Sequence, residues 1–261
     1  MASVKKKSPR LTKPRMLIEI VTLFPEGISS ILSESMLKRA QDFGVVEMDW
    51  IQLRDFATDK HSTVDDKPFG GGPGMVLKAE PIAAALRNLR EKRPEPKSTV
   101  ILTSPQGRTL TQELAEELAE KPRLTLLCGH YKGVDQRVID EFVDMEISIG
   151  DYILTGGELA AAVIVDSVVR LLPGVLGDPD SAQGDSFTRG LLDHPHYTQP
   201  AVWEGKEAPP VLLSGHHAEI EKWRQKQTEE RTRELRPDLF EKWRSEHPEV
   251  KKGTKKKRAM K

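Results

Sequence analysis

A chain of 261 residues can bury a sizeable core in one or two domains. It has no run of about 18 apolar residues, which excludes a membrane-spanning helix. Its 40 basic and 40 acidic side chains cancel, but thirteen of the basic ones lie at the two ends, leaving 27 against 40 acidic residues between positions 16 and 250.

Residues 1–15 carry six of those cations and no acid, and residues 251–261 carry seven and no acid. Both read as solvated, disordered tails, and as mobile cations they also suit a polyanion. The first has no apolar stretch behind it and is not a secretory signal. A lone cysteine, Cys128, excludes an internal disulfide and fits a reducing cytoplasm.

The body opens with a predicted strand, Met16–Phe24, stopped by Pro25. One helix-like stretch follows through Ile28, Ile31, Leu32, Met36 and Leu37 to Gly44, and then a strand at Val45–Leu53. Arg54–Gly74 has no periodicity, and loops of that length in a compact domain are usually functional or disordered. Its GGGPGM run, Gly70–Met75, has no lysine at Walker spacing, so it reads as a lid or substrate loop. A helix is predicted at Pro81–Arg90, before the charged linker Glu91–Lys97.

Strand and helix then alternate with short loops. Strand Thr99–Thr103 leads through Ser104-Pro105-Gln106-Gly107 to helix Thr111–Glu120. Strand Leu124–Cys128 leads through Gly129-His130-Tyr131-Lys132-Gly133 to helix Asp135–Phe142. Strand Met145–Ile149 leads through Gly156-Gly157 to a helix, Glu158–Leu171, apolar almost all round and therefore predicted to be buried. This order argues an α/β fold: a parallel sheet with helices on both faces and all three loops on its carboxyl edge. Such an edge is where α/β proteins bind ligands. With neither GxGxxG nor GxxxxGK[ST] present, a ligand with little phosphate, such as a nucleoside, suits the pocket.

Past Pro173-Gly174, Asp178–Gly184 reads as a polar linker between a domain at residues 16–177 and a smaller, mainly helical one at 185–246, with 247–261 as the second tail. The smaller domain holds a charged helix, His217–Glu234, and a short one at Leu239–Ser245. Asp185 has two readings, a helix N-cap or a general base, and the residue pattern leaves both open. Arg170 reads as a helix C-terminal cation. His194/His196 and Cys128/His130 offer two donors each, short of zinc spacing, so no metal site is predicted.

The segments GGGPGM, LTSPQG, CGHYKGVDQR, ISIGDYILTGGE, RLLPGVLG, DSF and LLDHPHYTQP, in that order, resemble the bacterial tRNA guanine-N(1) methyltransferases from about Met16 to Leu239. The resemblance implies a knotted SPOUT-type fold with a deep trefoil knot, a homodimer, and S-adenosylmethionine-dependent methylation of the guanine on the 3′ side of the anticodon in tRNA. It implies cofactor binding by Leu102, Thr103, Ser104, Pro105, Gly129, Tyr131, Ile149, Gly150, Asp151, Tyr152, Ile153, Leu154, Gly156 and Gly157. Asp185 becomes the base and Arg170 the partner of the guanine oxygen, with Asp193, His196 and Tyr197 as contacts to the target or its neighbour. Lys132 stands where the family commonly has a glutamate linked with Mg2+ dependence, which leaves a magnesium requirement open here. Gln199 replaces a frequent arginine, and His130 and His194 also depart from common family residues.

Overall fold

The computed structural model describes residues 12–176 and 184–248. Residues 1–11 of the first basic tail, nearly all of the 178–184 linker and the 249–261 end of the second tail lie outside the described residues. The chain divides into two compact units, Met1–Gly177 and Asp178–Lys261.

In the first unit, five strands form one parallel sheet: β1 (Met16–Thr22), β2 (Val46–Gln52), β5 (Thr99–Thr109), β6 (Arg123–Cys128) and β7 (Met145–Ser148), in the order β2-β1-β6-β5-β7. Side chains alternate across its faces, as the pleat requires. Ile18 and Ile20 of β1 pack with α1 (Pro25–Leu32), α2 (Ser35–Asp42), α4 (Gln112–Ala119) and α6 (Glu158–Val169), whereas Val21 packs with α3 (Ala79–Lys92) and α5 (Gln136–Phe142). Helices therefore cover both faces, matching the α/β reading.

Glu19 also points to the α3 face, fully buried with Arg123. Arg123 donates Nη2 to Glu19 Oε1 at 2.8 Å and Nε to Oε2 at 3.1 Å, while Thr125 Oγ1 donates to Oε2 at 2.8 Å. The remaining guanidinium donors reach the Leu89, Arg93 and Pro96 carbonyls. Two buried charges are tolerated here because almost every polar atom of the pair is satisfied.

Several boundaries differ from the sequence expectations. The single helix-like stretch is two helices, because the polar residues Ser33 and Glu34 interrupt it: Glu34 is extended and Ser35 has φ of 51°. The strand predicted to end at Thr103 resumes, since β5 runs to Thr109 with a register shift between Thr103 and Arg108 on β7. The 54–74 stretch is not wholly irregular. It begins in a 3-10 turn, Leu53–Phe56, and contains β3 (Asp65–Asp66), which pairs antiparallel with β4 (Val76–Leu77).

The helix predicted to be buried is only partly so. Leu159 and Val163 of α6 are 53% and 45% exposed, one turn apart, because their stripe faces away from the sheet. The second unit holds α8 (His217–Leu235) and α9 (Pro237–Glu246), with Leu191, Phe240 and Trp243 as a small core. It also contains a short helix, α7 (Pro210–Leu213), and a hairpin of β8 (Val202–Trp203) and β9 (Lys206–Glu207), neither of which hydrophobic periodicity indicates.

Candidate active site

Because β5, β6 and β7 run parallel, the loops that leave them share one edge of the sheet. Those loops are held together by main-chain contacts. Gly157 N–H donates to the Gly129 carbonyl at 2.7 Å, and His130 bridges Gly156 antiparallel. Gly129 N–H in turn donates to Thr103 Oγ1 at 3.3 Å. There is no room at the crossing for a side chain: a Cβ on Gly157 would overlap Thr103 Oγ1 and lie 2.8 Å from the Gly129 nitrogen. At Gly107 a Cβ would likewise overlap the Glu146 and Ile147 backbone.

Between the loops lies a cavity of ≈ 450 Å³, within the roughly 300–1,000 Å³ typical of small-molecule sites. Of the fourteen residues expected to bind a cofactor, Asp151 alone is not on its wall; Asp151 is exposed instead. Gln106 and Lys132, placed in the pocket loops by the sequence but not among the expected binders, also line it, and Gln136 and Glu146 escaped the sequence reading. Glu146 gave no signal, as it belongs to β7 itself. Lys132 and Glu146 are the charged side chains on the wall.

The glycine run reaches this wall through the backbone. Lys132 N–H donates to the Met75 carbonyl at 2.9 Å, Leu77 N–H to Gly133 at 2.9 Å, and Asp135 N–H to Leu77 at 3.1 Å. Cys128, at the end of β6, is buried, and burial together with the nearby Glu158 carboxylate pushes its thiol well above the usual range. It is a core residue and not a nucleophile.

Arg170 is the C-cap of α6, in the first unit, and its N–H donates to the Asp166 carbonyl at 3.2 Å. Asp185, in the second unit, is half-buried at the start of a run of turns, where Phe187 N–H donates to the Leu191 carbonyl at 2.7 Å. No named helix starts there, so the N-cap reading of Asp185 lapses.

Asp193 and His196 form one unit of side chains, Nε2 to Oδ2 at 2.7 Å. Burial works to raise the Asp193 carboxyl, but the His196 hydrogen bond, the His194 N–H and the two imidazoles outweigh it and hold it below the usual carboxylate range. Asp193, His194 and His196 bring potential ligand atoms within 4.8 Å of one another. The sequence reading counted two donors there and overlooked Asp193. Tyr197 is half-exposed, its ring 6.3 Å from that of Trp223.

Residues 16–242 match the family described as tRNA (Guanine-1)-methyltransferase TrmD. The chain belongs to this family. Among curated relatives, a tRNA (guanine-N(1)-)-methyltransferase of Dehalococcoides mccartyi is 53% identical over 87% of this chain and 91% of its own length. Proteins of the same name from Chloroflexus aurantiacus and Anoxybacillus flavithermus are each 54% identical, over 86% and 87% of this chain and 88% and 92% of theirs. The TrmD match begins at the first residue of β1 and continues into α9, so it takes in both units. Among the described residues, no helix is long and apolar enough to cross a membrane.

Proposed function

We propose that the protein methylates N(1) of the guanine 3′-adjacent to the anticodon of tRNA, using S-adenosylmethionine bound in the three-loop cavity. The observation that carries this reading is the cavity itself, walled by main-chain groups of three loops in a chain of the TrmD family. Its size and its glycine-tight floor at Gly129 and Gly157 fit a nucleoside-like group pressed against bare backbone. Once bound, the cofactor supplies a methyl group made electrophilic by its sulfonium.

The remaining work falls to the protein. Main-chain groups of Leu102–Pro105, Gly129, Tyr131, Ile149, Gly150 and Tyr152–Gly157 orient the donor, so that attack is in line. Guanine N(1) holds its proton at neutral pH and must lose it as the nitrogen attacks. The Asp185 carboxylate accepts that proton. Negative charge then builds on the exocyclic oxygen, where the Arg170 guanidinium stabilises it. The reacting nitrogen lies on the Watson–Crick edge, so the base must leave its stack. Asp193 and His196, locked together, offer hydrogen bonds to the target or neighbouring base, and Tyr197 offers a ring for stacking.

Two features of architecture belong to the same reading. A trefoil knot is favoured by the way β5 resumes beyond Gly107 to pair again with β7, while the chain after β7 crosses back over Gly129 into α6. A homodimer is favoured by the apolar side chains left exposed on neighbouring faces: Phe24 and Ile31 at α1, Leu159 and Val163 on α6. A tRNA substrate and a single buried cysteine suit the cytoplasm.

The deciding experiment follows labelled methyl from S-adenosylmethionine into tRNA carrying guanine after a guanine-ending anticodon, and maps the modified nucleotide. Label at that guanine is the expected result. Label at another nucleotide would overturn the target, and RNA binding without cofactor binding in calorimetry would overturn the enzyme.

A further inference from the structure

Lys132 is the one cation among the residues that line the cavity. Its stem passes the Gly74 backbone: a Cβ on Gly74 would lie 2.9 Å from Lys132 Cγ and 3.1 Å from Cε. Its own N–H is tied to Met75. Among the described residues its ammonium makes no ion pair, although Glu146 lines the same cavity and Asp135, close by in the chain, is paired with Arg137. An ammonium has three donors and no acceptor, and Lys132 is exposed on a wall where Glu146 is the one carboxylate.

We propose that the Lys132 ammonium binds the α-carboxylate of the cofactor's amino-acid tail. The inference rests on the reading that S-adenosylmethionine occupies the cavity. That ligand carries a single formal negative charge, its carboxylate, while its base and ribose are neutral groups suited to the main-chain donors and acceptors of the loops. A carboxylate in a half-enclosed cavity pays for its lost hydration unless a donor meets it. Lys132 is the cation available for that, and a charge-assisted hydrogen bond is the stronger kind. The residue thereby discriminates between cofactors with and without the carboxyl group. It takes no part in the methyl transfer.

Calorimetry on the full-length protein tests this with two ligands, S-adenosylmethionine and its decarboxylated analogue, which keeps the sulfonium, ribose, base and amine. The wild-type protein should prefer the carboxylated ligand by roughly tenfold, the scale of one partly solvated hydrogen bond to a charged group. Lys132→Met should weaken S-adenosylmethionine by about that factor and leave the analogue unchanged, erasing the preference. Lys132→Arg should keep it. If Lys132→Met weakens both ligands alike, the side chain only braces the Gly74 loop, and the proposal fails. Equal wild-type affinity for the two ligands also overturns it while leaving the cofactor reading intact. Binding of neither ligand by the wild type defeats the cofactor reading itself.

Discussion

Gly157 and Thr103 meet so closely that the first has no space for a methyl group: a Cβ would overlap the threonine hydroxyl. The contact ties the start of α6 to the end of the first β5 segment, and Gly157 also donates to the Gly129 carbonyl at 2.7 Å. Gly157→Ala should therefore push the two loops apart, costing about 1–3 kcal/mol of stability. Cofactor affinity should fall with it. Urea unfolding and calorimetry read the two effects; an alanine variant with wild-type values of both would show that the crossing yields easily.

Asp185→Asn keeps the shape of the side chain and removes its basicity. The variant should fold and bind cofactor normally but turn over about 10²–10⁴-fold more slowly, the usual worth of a general base. Single-turnover methyl transfer is the measurement. A wild-type rate would remove Asp185 from the mechanism without touching the identity of the substrate.

Glu19→Gln leaves the buried Arg123 guanidinium without its counter-charge. Removing one partner of a buried ion pair typically costs roughly 3–5 kcal/mol, and this pair is fully enclosed between β1, β6 and α3. Denaturant titration should find a loss of that size. A loss under about 1 kcal/mol, as at a surface pair, would mean that water reaches the arginine.

Leu159→Glu places a charge on the exposed stripe of α6. Sedimentation should find wild-type dimers and a monomeric variant that still melts cooperatively. Dimers of undiminished strength in the variant would assign the pairing surface elsewhere.

Acid should act through Asp193. Its folded-state carboxyl lies below its usual range, so the hydrogen-bonded carboxylate contributes stability above the unfolded value, about 3.9, and loses it as pH falls through the lower, folded value. The melting difference between wild type and Asp193→Asn should shrink across that window and vanish below it. A difference that persists in stronger acid would point to packing and not charge.

Much of the sheet was legible because its strands are buried on both faces and read as short apolar runs between turn residues, as at Leu124–Cys128. The loops were legible for a related reason, since glycines at Gly129 and Gly156-Gly157 stand where each run ends. Ordering and neighbours were not. Nothing local to Ser104–Gly107 announces that the strand resumes at Arg108, since its partner lies almost forty residues onward, at Ile147. Similarly, α6 reads as buried because periodicity reports apolarity, not what covers it. The β8–β9 hairpin was hidden by its length: two residues a strand carry no period. At the site, family resemblance supplied roles for Asp185 and Arg170 that spacing could not, whereas Glu146 became visible only with the cavity.

The glycine run is tethered at both ends. Asp66 pairs with Val76, and Met75 and Leu77 are stitched to the loop that carries Lys132. Residues 67–74 thus form an eight-residue leash with a fixed root. At about 3.4 Å per residue, out and back, its tip can stray no farther than roughly 15 Å from that root. Phe69, 97% exposed on the leash, is confined to the same radius, so whatever it touches must come within that distance of the β3–β4 pair to be touched.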